Sequence, residues 1–195
     1  MGHGDVTGTG IGEACNGPQR ASARHYGPVP RLDMNRWRLA ITGATCGGMY
    51  CYTWDDILDM PMIDVPGTIH CAQQGRGITQ IWRGVPTSHL LSTAPPDPKA
   101  THALAAAAYG FSSTLRLRDL NHPETILATC VDGVPLTPQH GAPLRLFAPH
   151  LFGWKSVKWL LEISYLMAPE PGFWECRGYH MVGKVSDGHI YAHQE

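Results

Sequence analysis

Long apolar runs are missing from this 195-residue chain. The longest, Ala103 to Ala108 with its neighbours, falls far short of the roughly 20 residues that span a bilayer, so no transmembrane helix is expected. An excess of one charge is missing too. Fifteen Lys and Arg stand against sixteen Asp and Glu, the formal net charge is −1, and the basic residues do not run together. That disfavours a general nucleic-acid surface. No CxxC pair occurs among the six cysteines (15, 46, 51, 71, 130 and 176), which argues against a disulfide scaffold. Cys46 and Cys51 have no second ligand pair at a zinc-like spacing, and His180, His189 and His193 are too sparse to assign a metal. The start of the chain has no charged segment leading into an apolar one, no twin-arginine pair and, with Val6, no myristoylation pattern. The expectation is a cytoplasmic protein.

What is present suffices for one compact domain, since 43% of the residues are hydrophobic. Residues 1–22 read as a flexible Gly-rich tail and 23–195 as the domain. Gly8-Thr9-Gly10-Ile11-Gly12 resembles a nucleotide loop, but no apolar strand precedes it, as a dinucleotide fold requires. Trp37 to Thr42 alternates like a half-buried strand, and Thr53 is the predicted N-cap of a short helix over 54–58. A second short helix is expected over Ser88 to Ser92. Leu115 and Leu117 alternate with Arg116 and Arg118 as in a strand. Asp132-Gly133 marks a hairpin turn between Ile126–Val131 and Val134–Leu136. Val157, Trp159, Leu161, Ile163 and Tyr165 fall at period two, which predicts a strand. Ala103 to Ala108 fits helix or strand. The whole reads as mixed α+β with many short strands.

Two segments carry chemistry. Cys71 follows a predicted strand (Thr68-Ile69-His70) and precedes a Gly-rich turn at Gly75-Arg76-Gly77. A thiolate at such an edge can bind a soft metal or attack an electrophile, whereas a buried structural cysteine is the commoner alternative. The second segment groups His140, Arg145, Lys155 and Lys158 among Gly and Pro breaks. Arg grips phosphate bidentately and Lys adds a point charge, so the group suits a phosphorylated ligand; a solvated sheet rim is the other reading. Arg24 and His25 read as a surface pair, Tyr109 lines a cleft or ends a strand, and Trp82 and Trp159 read as core.

In consistent order from Arg24 to His180, six segments resemble the molybdopterin domain of the sulfite oxidase family, including its small stand-alone bacterial oxidoreductases. They are RHYGPVPRLD (24–33), IHC (69–71), WRGVP (82–86), DGVPL (132–136), HGAPLRLFAPHLFGWKSVKW (140–159) and GFWECRGYH (172–180). The resemblance implies an α+β fold with a mixed, barrel-like sheet and short helices. It implies a molybdenum-molybdopterin cofactor with Cys71 as the thiolate ligand of the metal. His140, Arg145, Lys155, Ser156, Val157 and Lys158 would hold the pterin and its phosphate, with Arg24 and His25 beside them. Arg24 and Arg76, with Tyr109, would serve catalysis on a small oxo-substrate such as sulfite or an S- or N-oxide. Electrons would pass to or from a separate haem or flavin protein. After Cys71 the sequence reads AQQGRG where sulfite oxidases carry a Gly-Asn-Arg-Arg type of loop, which leaves the substrate open. A non-catalytic molybdopterin carrier is the alternative reading. A Cys-His hydrolase has no local sequence support.

Overall fold

A computed structural model gives the architecture and describes residues 25–73 and 75–194, without the side chain of Arg76. The Gly-rich segment 1–22 and Arg24 lie outside the described residues. In chain order the elements are β1 (Leu39–Gly43), β2 (Tyr50–Tyr52), α1 (Trp54–Asp59), β3 (Ile63–Cys71), β4 (Gly75–Pro86), α2 (Thr87–Thr93) and β5 (His102–Ala107). There follow β6 (Ser112–Arg116), α3 (Leu117–Leu120), β7 (Ile126–Val131), β8 (Val134–Pro135), β9 (Arg145–Phe147) and β10 (Leu160–Leu166).

The strands divide between two sheets. The first runs β2-β1-β10-β5-β6, with β1 parallel to β10 and every other pair antiparallel. The second is antiparallel, β3-β4-β7, with β8 and β9 each paired to β7. Neither closes on itself. A barrel requires its first and last strands to pair, but β2 and β6 remain as edges of one sheet and β3 as an edge of the other. The barrel-like expectation is therefore corrected to two open sheets in a mixed α+β fold.

Alternation along the strands sorts the side chains into two cores. The principal core draws on both sheets, taking Leu39 and Ile41 from β1, Ile163 and Tyr165 from β10, and Leu127 and Leu146 from β7 and β9. Their neighbours Ile126, Ala128 and Phe147 form a second cluster with Val65, Trp82, Val131 and Leu136. Period-two alternation puts that cluster on the other face of the second sheet, where the chemistry-bearing segment lies.

Local signals held where the side chain itself makes the structure. Thr53 caps α1 in a capping box: Asp56 N donates to Thr53 Oγ1 at 3.1 Å and Thr53 N to Asp56 Oδ2 at 2.7 Å. Asp132 and Gly133 take φ of 51° and 76°, as a two-residue hairpin turn requires. Other expectations are corrected. The strand through Leu115 ends at Arg116, whose guanidinium turns to Asp119 (Nη2 to Oδ1, 2.9 Å) as Leu117 begins α3. Gly75-Arg76-Gly77 belongs to β4, and the turn lies earlier, at Ala72 and Gln73. The strand predicted from Val157 starts only at Leu160, because Trp159 takes φ +52° and a register shift follows between Leu160 and Glu162. Ala103 to Ala108, left open between helix and strand, is settled as strand over Ala103 to Ala107 in β5, since pairing on both sides by β10 and β6 outweighs alanine's helix preference.

Candidate functional site

The site is built around Arg145, which β9 carries on the second sheet beside Ala128 of β7. It is 2% exposed. Its Nη1 donates to the His140 carbonyl at 3.0 Å and its Nη2 to the Ser156 carbonyl at 3.0 Å, tying the two halves of the 140–158 segment together. Its Nε is buried with no acceptor. Burial pushes the guanidinium down to about 9, so it is charged at neutral pH. The Trp82 ring lies 5.2 Å from its Cζ and stacks on Phe147 at 4.5 Å.

Around Arg145 the chain folds back on itself. Ser156 Oγ accepts from Ala148 N at 3.1 Å, and the Val157 carbonyl accepts from Leu146 N at 2.8 Å. Gly141 has φ +106°, and a Cβ there would stand 2.9 Å from Lys158 Cβ, so only glycine allows the lysine stem to pass so close. Lys158 Nζ donates to the Gln139 carbonyl at 2.7 Å. Burial, and secondarily the Arg145 charge, push Lys158 down to about 7. His140 Nδ1 lies 2.7 Å from Thr137 Oγ1. The result is a cationic concentration on a half-buried surface, the setting in which an anion is worth most.

The neighbouring wall is aromatic. Trp159 Nε1 donates to the Pro138 carbonyl at 2.6 Å, and His25 packs edge-on against the Trp159 ring at 5.4 Å. The Trp159 carbonyl accepts from Ala108 N at 3.2 Å, which brings the exposed Tyr109 alongside. Tyr109 itself takes φ +61°, uncommon for a bulky residue.

Cys71 ends β3 as a half-buried, unbridged thiol. The preceding residues meet the same cofactor-segment loop from the other side. His70 forms a parallel bridge with Phe152, and a Cβ on Gly153 would lie 2.9 Å from Ile69 Cγ2 and 3.2 Å from the His70 carbonyl. Cys71 and Arg145 thus flank one loop, although 74 residues separate them in sequence. Among the described residues no three His, Cys, Asp or Glu converge.

Lys155 points elsewhere. Its ammonium is fully buried and donates to the Thr114 carbonyl and the Met181 carbonyl, each at 2.6 Å, and to Glu175. All three protons are engaged, so Lys155 fastens the loop rather than facing a ligand. Glu175 is the residue that sequence reasoning missed, and Trp82, read there as core, is buried as expected but also stands beside Arg145. Neither pairing, Glu175 with Lys155 or Trp82 with Arg145, has a local signal, because each forms only through tertiary contact. Arg24 and the Arg76 side chain lie outside the described residues.

Residues 26–174 match the oxidoreductase molybdopterin binding domain. The chain belongs to this family. The domain is 36% identical over 160 residues to the uncharacterized oxidoreductase YuiH of Bacillus subtilis, covering 82% of this chain and 80% of that protein. It is 30% identical over 172 residues to inducible nitrate reductase (NADH) 2 of Glycine max, covering 72% of this chain and 19% of that one. With human mitochondrial sulfite oxidase the identity is 28% over 184 residues, 80% of this chain and 34% of the other. The chain thus spans most of YuiH but only 19% and 34% of the two larger relatives. Its fold resembles the crystal structure of the sulfane dehydrogenase SoxCD from Paracoccus pantotrophus, with a TM-score of 0.69 at 24% identity over 74% of this chain and 42% of that one. The residues present fit such a cofactor. Arg145 is a buried cation with an unanswered N–H, as a phosphate requires, and Cys71 is a soft donor at a strand end. No helix among the described residues is long and apolar enough to cross a membrane.

Proposed function

We propose that this molybdopterin-binding oxidoreductase domain transfers an oxygen atom to or from a small oxo-substrate, sulfite or an S- or N-oxide, and exchanges electrons with a separate haem or flavin protein. One observation carries the reading: Arg145 is charged, buried and held between two carbonyls, with its Nε–H among the donors left for an anion. The names of the sulfite oxidase and nitrate reductase relatives point to oxyanion chemistry.

In this reading Arg145, His140 and Lys158 bind the phosphate and pterin, and the Ser156 and Val157 backbone keeps their loop in register. Lys155 braces that loop from behind through Glu175. Cys71 Sγ is the protein's ligand to molybdenum, and coordination keeps the thiol deprotonated. The bound cofactor supplies two-electron oxygen-atom transfer, and the protein supplies its placement and the surrounding charge. His25 and Tyr109 border the same region, and with Arg24 and Arg76 they are proposed to orient the substrate.

The test is molybdenum by elemental mass spectrometry, with pterin released and oxidised to its fluorescent form, on protein from a cofactor-competent host. Near one metal and one pterin per chain is expected, with dye-linked turnover of at least one of sulfite, S-oxides or N-oxides. Well-folded protein lacking both would reject the reading. Full loading without turnover would make the protein a cofactor carrier.

A further inference from the structure

Two other arginines, both ion-paired, show what a guanidinium in this fold ordinarily meets. Arg83 pairs with Asp64 at 3.1 Å and Arg116 with Asp119. Arg145 is more buried than either, yet no described carboxylate lies within ion-pair distance of it. An uncompensated buried charge is costly, and removing it from water calls for some substitute for solvation. Here the substitute is an indole. Trp82 is 1% exposed, and its ring stands 5.2 Å from Arg145 Cζ. Phe147 stacks on Trp82 at 4.5 Å and 18°, while Val65 and Val131 pair with Trp82 across the neighbouring strands. The ring is therefore fixed by a three-strand register and a packed neighbour, not by a loop.

We propose that Trp82 is a positioning residue for the anionic end of the cofactor, holding the Arg145 guanidinium by its π face where a buried arginine would ordinarily meet a carboxylate. The proposal rests on the molybdenum-cofactor reading above. The physical distinction is between attraction and neutralisation. A π face draws a cation through its quadrupole but accepts no conventional hydrogen bond and cancels no charge. A carboxylate in the same place would orient Arg145 equally well, but would occupy Nε and compete with a phosphate. With Trp82, Arg145 keeps both its charge and its remaining N–H for the ligand.

Holoprotein carrying Trp82→Leu, Trp82→Phe, Arg145→Met, or Trp82→Leu with Arg145→Met would be prepared, and pterin release timed at fixed temperature. Melting of the cofactor-free forms runs alongside. Trp82→Leu should release pterin about tenfold faster than wild type, the equivalent of a buried cation–π contact. Trp82→Phe, which retains a flat ring, should restore release to within about threefold of wild type. In the Arg145→Met background the Trp82→Leu effect should vanish, because the residue through which it acts is gone. Equal release from wild type and Trp82→Leu would overturn the proposal, as would an undiminished Trp82→Leu effect in the Arg145→Met background. Loss of pterin that merely follows melting temperature, with no rescue by Trp82→Phe, would also overturn it. If Trp82→Leu does not fold, Trp82→Met fills the space with a flexible apolar chain and serves the same comparison. Wild type that carries no pterin is a separate result, and it would remove the cofactor reading and this inference together.

Discussion

Cys71 occupies the last position of a nine-residue strand, half-buried and free of any disulfide. Exchanging its sulfur for oxygen leaves size and shape nearly unchanged, so Cys71→Ser should cost well under about 1 kcal/mol of folding stability. The same exchange replaces a soft donor by a hard one. Molybdenum content should fall to background by elemental mass spectrometry while the far-ultraviolet circular dichroism stays at wild type. Stoichiometric molybdenum and undiminished turnover in the serine variant would show that the metal does not depend on this thiol. Cys71 and Arg145 stand out as candidates at the residue level because their chemistry belongs to the side chain. The engagement of Lys155 is not legible at that level, since its partner Glu175 lies 20 residues further on and is brought to it only by folding.

At the level of elements, the segment between β9 and β10 is held on two sides. Arg145 clamps its front through the Ser156 carbonyl and ties it to the His140 carbonyl ahead of β9, and the Lys155–Glu175 pair fastens its back. Both members of that pair have side chains at 0% exposure, and Glu175 Oε1 also accepts from Ser113 Oγ at 2.7 Å. Glu175→Ala would strand a buried ammonium and should destabilise the fold by about 3–5 kcal/mol in chemical denaturation. Replacing both partners, Lys155→Met with Glu175→Leu, should recover most of that loss; equal losses in the single and double variants would contradict a charge pair. Elements set by their own side chains, the Thr53 capping box and the Asp132-Gly133 hairpin, were legible in the sequence. Those set by neighbours were not: the alanines of β5 became a strand because β6 and β10 flank them, and the start of β10 was displaced by the left-handed turn at Trp159. The Trp82 platform was equally hidden, since it depends on β4, β7 and β9 lying side by side.

For the molecule as a whole, the cationic site should make stability depend on both pH and cofactor. Lys158 is lowered from its ordinary value of 10.5 to about 7 in the folded protein. Between those values the unfolded chain holds a proton that the folded one lacks, so this group makes the cofactor-free protein more stable as pH rises from 7 toward 10. A bound phosphate favours the charged lysine and should flatten that dependence. Melting temperatures of the two forms across pH 6.5–9.5 should therefore converge as pH rises, with the largest gap at the acid end. Parallel curves would mean that Lys158 does not sense the ligand.

The parallel seam between β1 and β10 joins residues far apart in the chain, and Thr42 Oγ1 donates to Glu162 Oε1 across 120 positions. Pairing of such range forms late, after the local hairpins have settled. During synthesis the first sheet lacks its middle strand until β10 has left the ribosome, and residues 153–158 emerge just ahead of it. The second sheet, with β3, β4 and β7, can be in place earlier. A newly made chain therefore has the strand ending in Cys71 ready before Arg145 can close on Ser156, and on the proposed reading a bulky guest would meet an unfinished door rather than a closed one.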